Sequence, residues 1–277
     1  MKKTKNSEHT FWNTFNQYKS LLRELTRKSI KLKYRDSVLG IFWSFVQPLL
    51  NMIVLSVVFS SLLGKKGNIV CYPVYLFSGR LLFEFFTTST KAALVSFRSN
   101  AAIMKKVYVP KYIYPLSSIL STFINLAISL LCFVLVWIFF KFSGVSHGNE
   151  LILNGHALLF FIPLLLLLVF TTGVGLILSI FQVYFRDIKY MWDVFCTLLF
   201  YAVPILYSID TIQSKWTRTL IEINPIYHII ELFRQCVYYG TSMDIRLLLG
   251  ATAWAFGTLF IGILIFNKKS DDLIFHM

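Results

Sequence analysis

Residues 28–63 constrain the fold of this chain most, because a basic, amphipathic stretch runs directly into a long apolar one. The apolar part, residues 41–63, would form a helix about 34 Å long at a rise of ~1.5 Å per residue, enough to cross a bilayer. Gln47, Pro48 and Asn51 interrupt it. The pattern predicts a segment that lies on the membrane and leads into a span with a polar stripe.

The composition is typical of a membrane protein. Hydrophobic residues make up 56% of the chain and charged residues 14%, whereas soluble domains have roughly 45–50% apolar and about 25% charged residues. The net charge is +14, but ten of the 27 Lys and Arg lie in residues 1–40, beside the first span. An anionic cytoplasmic leaflet attracts such a segment. We therefore expect membrane lipids as partners and exclude nucleic acid.

Six apolar stretches are long enough to span a membrane. They lie at residues 41–63, 70–94, 116–140, 157–181, 190–207 and 247–266. The sequence predicts an all-α integral membrane protein with a single transmembrane domain over residues 1–277. Within it we expect an amphipathic interface helix in residues 1–40, six transmembrane helices in 41–266 and a tail at 267–277.

The distribution of positive charge predicts the orientation. With the N-terminus inside, the predicted cytoplasmic segments hold 18 Lys and Arg, and the external loops hold 7. This bias predicts that both termini are cytoplasmic. Residues 1–40 lack the short apolar core and cleavage site of a signal peptide, so we expect the N-terminus to be retained.

One face of the N-terminal segment is apolar. Its residues alternate at spacings of four and three, and they are Phe11, Phe15, Tyr18, Leu22, Leu25, Ser29 and Leu32. This spacing is typical of an interfacial helix that lies among lipid headgroups. A helix packed on a soluble partner protein would show the same pattern, and both interpretations stay open.

In the last predicted external segment, residues 208–246, the sequence predicts a short helix. Asn224 and Pro225 form a good N-cap and first turn, and Gly240 follows the predicted end. Glu231 and Arg234 stand three residues apart, within reach of each other. Because about 14 residues cannot span, we expect a re-entrant or interfacial helix on the outer side. The preceding "SKWTRTLIE" would pair with it as an external helical hairpin.

Two predicted spans carry polar stripes. The stripes consist of Ser44, Gln47 and Asn51 on the first span, and of Ser118, Thr122, Asn125 and Ser129 on the third. A bare polar group in hydrocarbon costs several kcal/mol, so these side chains must face protein or water. They could form hydrogen bonds between helices, or line a pore suited to a polar, uncharged substrate.

Three charges, Arg80, Glu84 and Lys91, interrupt the second span. Arg80 and Glu84 lie one helical turn apart. An unpaired Arg at mid-membrane costs ~3 kcal/mol on insertion scales. We therefore expect Arg80 to pair with Glu84 or to face a wet cavity.

Motifs for nucleotide, metal or nucleophile chemistry are missing from the sequence. "LGKKGN" at 63–68 lacks the spacing of a phosphate loop, and "TGVG" at 172–175 lies inside a span, where it indicates close helix packing. The five His and four Cys show no metal-ligand or catalytic spacing. We expect no metal, cofactor or enzymatic activity in this chain, so energy for active transport must come from another polypeptide.

Five segments in order resemble the membrane subunit of ABC type-2 exporters of cell-surface polysaccharides, which carry O-antigen, capsule or teichoic acid. They lie at residues 32–63, 72–86, 99–126, 183–194 and 224–234, and include "YPVYLFSGRLLFEFF" and "NPIYHIIELFR". The resemblance covers nearly the whole chain, from Leu21 to Phe266. No single segment is specific to this family, but five matches in the same order make the resemblance strong. Arg80 departs from the pattern, which has an apolar residue after Gly79.

The resemblance implies a homodimer that works with two copies of a separate ATPase, which binds ATP and Mg. It places an ATPase-coupling helix at residues 96–109, and further contacts at a short cytoplasmic loop. The implied coupling residues are Asn100, Met104, Lys105, Lys106, Arg186 and Asp187. Residues 214–239, with Asn224, Pro225, Glu231 and Arg234, would act as an external gate.

A lipid-linked glycan needs a wide polar path with aromatic rings on which sugars can stack. The first and fifth spans of a dimer could form it, with Tyr201 and Tyr207 as candidate sugar contacts. We expect such an exporter in the bacterial cytoplasmic membrane. The alternatives are an exporter of a small drug or a lipid, a membrane-embedded transferase and a passive channel.

Overall fold

A computed structural model describes residues 8–35, 40–59, 69, 71–104, 106, 109–142 and 155–270. Over these residues the chain is helical and contains no strand. The α-helices are α1 (Glu8–Tyr34), α2 (Trp43–Phe59), α3 (Tyr72–Leu94), α4 (Ser96–Ser99), α5 (Ala101–Met104), α6 (Ile113–Phe142), α7 (Phe161–Tyr184), α8 (Ile188–Ala202), α9 (Lys215–Ile223), α10 (Pro225–Val237) and α11 (Ile245–Lys269). Short 3-10 turns lie at Gly40–Phe42, Gly155–Phe160 and Ile209–Thr211.

The apolar stretches coincide with six of these helices, α2, α3, α6, α7, α8 and α11. Within the described residues, Ile113–Phe142, Ala157–Tyr184 and Ile245–Lys269 are long and apolar enough to cross a membrane. Helix α2 has 17 residues and α8 has 15, which correspond to about 26 Å and about 22 Å. Since these two are short and α3 is interrupted by charges, six spans remain a prediction, whereas the all-α membrane fold is confirmed.

Helix α3 lies in the middle of the bundle, in contact with α2, α6, α7, α8 and α10. Phenylalanine rings pack it on its neighbours: Phe77 lies 5.7 Å from Phe133 of α6, and Phe86 lies 5.6 Å from Phe170 of α7, between ring centroids. Phe133 also contacts Phe233 of α10 at 5.8 Å. Aromatic pairs of this kind add to the packing energy of the core. Helix α3 is therefore the central helix of the bundle, with neighbouring helices on most of its sides.

Glycines allow α7 and α11 to approach each other closely. A Cβ at Gly173 would lie 2.5 Å from the backbone nitrogen of Leu259, and one at Gly262 would lie 2.7 Å from the carbonyl oxygen of Gly173. No larger residue fits such a backbone-to-backbone contact. The "TGVG" segment therefore serves helix packing, as the sequence predicts.

The amphipathic face of α1 packs on the protein itself. Leu22 and Leu25 are buried in a cluster with Phe97, Tyr114 and Phe266, which joins α1 to the ends of α6 and α11. The sequence left two interpretations of this face open, lipid headgroups or a partner protein, and the contact observed is made within the same chain. The 3.6-residue pattern reports an apolar contact without specifying whether lipid or protein supplies it, and here protein supplies part of it.

Candidate functional site

The two predicted polar stripes meet in a small polar cavity between α2, α3 and α6. Its volume is about 70 Å³. Polar side chains lining it are Lys33, Ser44, Gln47, Glu84, Thr88, Thr122, Asn125 and Ser129. We call this group the polar cluster. Three helices thus contribute hydroxyl, amide and carboxylate groups to one place.

Hydrogen bonds tie the polar cluster together. The Ser129 hydroxyl of α6 donates to the backbone oxygen of Ser44 in α2 at 3.4 Å. Thr122 of α6 bonds the hydroxyl of Ser89 in α3. Two members of the α6 stripe, Thr122 and Ser129, therefore bond to neighbouring helices, while Gln47 of the α2 stripe stays exposed at the edge.

Two members of the stripes do not line the cavity. Ser118 is buried, and its hydroxyl donates to the backbone oxygen of Tyr114 at 3.2 Å. Asn51 lies one turn beyond the cavity and is partly buried.

Arg80 pairs with Glu84 and lies against an aromatic ring. Its Nε is 3.8 Å from the Glu84 carboxylate, and its guanidinium carbon is 5.0 Å from the centre of the Phe200 ring in α8. Both charged side chains remain partly exposed, at 29% and 27%. The expected i, i+4 pair is present, with Arg80 against α8 and Glu84 at the polar cluster.

The two candidate aromatic contacts follow Phe200 in the chain. Tyr201 is 64% exposed. Tyr207 folds back over the end of α8, because its hydroxyl donates to the carbonyl oxygens of Tyr201 and Ala202 at 3.3 and 3.2 Å. One ring is therefore free to meet a ligand or a second chain, and the other is anchored.

Arg234 of α10 is completely buried, with an exposed fraction of 0%, and its guanidinium makes several hydrogen bonds. Its guanidinium donates to the Tyr75 hydroxyl and the Pro204 carbonyl, both at 2.8 Å. Longer bonds reach the Tyr75 and Ile205 carbonyls at 3.3 Å and the Ser78 hydroxyl at 3.4 Å. The guanidinium carbon also lies 3.6 Å from the Tyr75 ring centre. Arg234 thus joins α10, α3 and the segment after α8.

Further bonds hold the same region. Tyr72 donates to the Leu206 carbonyl at 2.9 Å, and Trp137 of α6 donates to the Val237 carbonyl at 3.1 Å. Glu231 approaches Arg234 only to 3.8 Å. The predicted Glu231–Arg234 pair therefore exists, but the neutral groups of α3 and residues 204–205 supply most of the bonds to Arg234.

Helices α9 and α10 form the hairpin that the sequence predicts. Asn224 caps α10, as its side-chain oxygen accepts from the Ile226 backbone nitrogen at 3.0 Å, and Pro225 occupies the first turn. Gly240 has a φ of 64°, the left-handed conformation expected after a helix end. The sequence signals for this helix are confirmed, although it ends at Val237.

On the opposite side, the predicted coupling segment forms two short helices, α4 and α5, rather than one. The Asn100 amide donates to the Ser96 carbonyl at 2.9 Å, at the break between the two helices. Met104 is half-buried and Lys106 is exposed, while Lys105 lies outside the described residues. The buried Phe97 fixes the segment by packing near Tyr114 and Phe266.

The second predicted coupling contact is the turn between α7 and α8. Arg186 and Asp187 are both exposed there. The Asp187 backbone oxygen accepts from the Tyr190 and Met191 nitrogens and starts α8. This turn therefore carries two opposite charges at the surface.

A link between the C-terminal end of α3 and the first turns of α8 was not predicted from the sequence. The Lys91 ammonium lies 2.8 Å from the Asp193 carboxylate. Beside it, the Trp192 indole nitrogen donates to the Thr90 hydroxyl at 3.0 Å. The lone Lys at the end of the second span was the available signal, but no spacing rule links residues a hundred positions apart.

Charged and polar groups lie at both ends of the helix bundle and inside it. Among the described residues, no group of three or more His, Cys, Asp or Glu could hold a metal ion. Residues 20–238 match the model of the family described as ABC-2 type transporter. The chain belongs to the ABC-2 type transporter family. The match includes the polar cluster, the predicted coupling segment and the α9–α10 hairpin.

Curated ABC-2 relatives align over most of their length. The chain is 28% identical over 257 residues to the O-antigen export system permease protein RfbA of Myxococcus xanthus, covering 92% of this chain and 95% of the relative. It is 31% identical over 254 residues to RfbA of Klebsiella pneumoniae, covering 90% and 91%. It is 21% identical over 265 residues to the polysialic acid transport protein KpsM of Escherichia coli, covering 94% and 97%.

Proposed function

We propose that this chain is the permease subunit of an ATP-driven exporter of lipid-linked cell-surface polysaccharide. The observation that carries the proposal is the end-to-end similarity to relatives named for O-antigen export and polysialic acid transport. In this proposal the chain forms a homodimer and binds two copies of an ABC ATPase. ATP and Mg bind in those partner subunits.

The ATPase contact in this proposal is the segment of α4, α5 and the residues up to 109. Arg98, Ser99 and Lys106 are exposed on it, while Phe97 anchors it to the bundle. Asn100, Met104 and Lys105 would complete this contact, and Arg186 and Asp187 would meet the ATPase beside it. Because Phe97 holds this segment to the bundle, a movement of the ATPase against its exposed residues would be transmitted to the membrane helices.

Helix α3 would carry that movement across the membrane. Its inner end continues into α4 through a turn in which the Ser99 nitrogen donates to the Val95 carbonyl at 3.0 Å. Its outer end binds α10 through Tyr75 and Arg234. With 23 residues α3 is about 35 Å long. One rigid element therefore connects the proposed motor contact to the proposed external gate.

The path for the glycan would form between two copies of the chain, at α2 and α8. Helix α8 exposes an apolar and aromatic face that includes Tyr190, Val194, Leu198 and Tyr201. Gln47 and the Arg80–Glu84 pair offer polar contacts near this side. Exposed rings would stack on sugars, and amide and hydroxyl groups would exchange hydrogen bonds along the path.

The protein is an integral membrane protein, and we propose the bacterial cytoplasmic membrane with both termini inside. The excess of Lys and Arg in residues 1–40 and in the coupling segment supports this orientation.

Deletion of this chain from its host tests the proposal. We expect surface polysaccharide to disappear and lipid-linked glycan to accumulate inside, and purification of the tagged chain to recover an ABC ATPase in equal amount. Normal surface polysaccharide with a changed content of a lipid or small molecule would point to an exporter of that compound instead. Recovery of the chain without an ATPase would contradict the motor assignment.

A further inference from the structure

A groove between α1 and α6 combines an apolar floor with a basic rim. Its volume is about 610 Å³, within the range of small-molecule sites. Leu22, Thr26 and Ile30 of α1 and Leu120, Phe123 and Ile124 of α6 line it, and the basic residues along it are Lys19, Arg23, Arg27 and Lys31. We call this feature the α1–α6 groove.

Helical geometry gathers the four cations along one edge. They stand at spacings of four residues on α1, so they follow one side of the helix over about 18 Å. All four side chains are exposed. Within the described part of the chain, none of them forms a side-chain hydrogen bond or an ion pair. The groove therefore offers four uncompensated positive charges beside an apolar surface.

The floor of the groove continues into the outer surface of α6. Ile124 is 44% exposed, and further along the helix Leu131 and Leu135 are 66% and 55% exposed. Helix α6 is one of the helices long and apolar enough to cross a membrane, so this outer surface meets lipid tails. An occupant can therefore extend from the cations into the bilayer without leaving an apolar surface.

From this combination we propose that the α1–α6 groove binds one anionic phospholipid of the inner leaflet. The acyl chain lies along Leu120, Phe123 and Ile124, and the phosphate lies at Arg23 and Arg27. Charge complementarity favours an anionic over a zwitterionic lipid, since each nearby Lys or Arg contributes about 1 kcal/mol to the attraction. An apolar segment of the ATPase would also fill the groove. Such a segment would not need the apolar surface to continue from the groove onto the outer surface of α6, whereas a lipid tail does.

The bound lipid would hold α1 at its place on the bundle. Leu22 belongs both to the buried cluster with Phe97 and to the lining of the groove, so a lipid in the groove completes its apolar surroundings. This role is independent of the cargo, and it holds for any substrate that the permease transports.

Neighbouring residues provide a matched test. Arg27 lines the groove, whereas Lys28 is exposed on α1 but does not line it. Arg27→Gln and Lys28→Gln each remove one positive charge from adjacent positions. Ile124→Trp fills the floor of the groove while it keeps the surface apolar.

Native mass spectrometry of the full-length protein would measure binding of phosphatidylglycerol and phosphatidylcholine. We expect tighter binding of phosphatidylglycerol, a loss of about fivefold in Arg27→Gln, the equivalent of ~1 kcal/mol, no loss in Lys28→Gln, and loss of both lipids from this site in Ile124→Trp. Equal losses in the two charge variants would overturn the proposal, because they would indicate unspecific attraction to the surface.

Photolabelling in vesicles would locate the lipid. A phosphatidylglycerol with a photoreactive acyl chain, in vesicles of phosphatidylcholine, should label peptides that contain residues 120–124 and α1, and Ile124→Trp should abolish this labelling. Labels confined to other helices would overturn the proposal. Crosslinking of the groove to the ATPase in the assembled complex, with no lipid labelling there, would also overturn the proposal.

Discussion

Gly79 leaves the space that the Arg234 guanidinium occupies. A Cβ at position 79 would lie 2.7 Å from Nη2 of Arg234, a distance at which one of the two groups must move. The guanidinium is held in place by the carbonyls of Tyr75, Pro204 and Ile205. The absence of a side chain on α3 therefore allows a fully buried cation to fasten α10.

Gly79→Ala should destabilise the protein by about 1–3 kcal/mol, because the added methyl group displaces Arg234 from its acceptors. Gly257→Ala in α11 is the control, since nothing lies within 4 Å of a Cβ there. The control should be neutral or gain up to about 1 kcal/mol from helix propensity. Unfolding of the detergent-solubilised variants measures both effects, and equal stability of the two variants would contradict the contact.

Arg234→Met should cost about 3 kcal/mol or more, because it leaves several buried acceptors without a donor. We also expect export to fail, since α10 would detach from α3. Arg218→Met provides the comparison, as Arg218 pairs with no described residue other than Glu222, on the exposed face of α9. Thermal unfolding and surface polysaccharide are the two measurements. An Arg234→Met protein as stable as Arg218→Met would refute the fastening role.

Exchange of charges between Lys91 and Asp193 tests the link between α3 and α8. Lys91→Asp or Asp193→Lys alone should lower export by about fivefold, and the double exchange should restore it. Stability should change by no more than about 1 kcal/mol, since both side chains are nearly half exposed. The same exchange at the exposed Arg218–Glu222 pair should likewise change stability by no more than about 1 kcal/mol. Failure of the double exchange to restore export would show that the two charges act separately.

His228 predicts a dependence of stability on pH. Burial lowers its pKa below the ordinary value of about 6.5, an effect that Glu222 opposes. The unfolded chain therefore binds the proton more readily, so stability should fall as pH drops from about 7.5 through 6.5 towards the lowered pKa. His228→Gln should reduce this slope. A series of unfolding temperatures from pH 8 to 5 measures it, and identical slopes for both proteins would contradict the prediction.

The sequence could predict the elements that depend on local patterns. The apolar runs located the helices, and Asn224 and Pro225 marked the start of α10, because span length and capping involve residues near each other in the chain. The i, i+4 spacing likewise predicted the Arg80–Glu84 pair.

Contacts between distant residues could not be predicted in this way. Arg234 bonds Tyr75 across 159 positions, so a residue expected at an external surface is buried. The polar stripes were visible in the sequence, but not that they would meet each other at Ser44 and Ser129. Periodicity shows which face of a helix is polar, but not which helix packs against that face. The same holds for the apolar face of α1.

Transport in proteoliposomes tests the central claim most directly. The chain would be reconstituted together with the ATPase that co-purifies with it, and movement of lipid-linked glycan to the opposite leaflet would be followed with and without ATP. The account predicts movement that requires both ATP and the intact ATPase, and that is lost when Lys106 and its neighbours in 96–109 can no longer bind the ATPase. Glycan movement by this chain alone, without ATP or the ATPase, would contradict it.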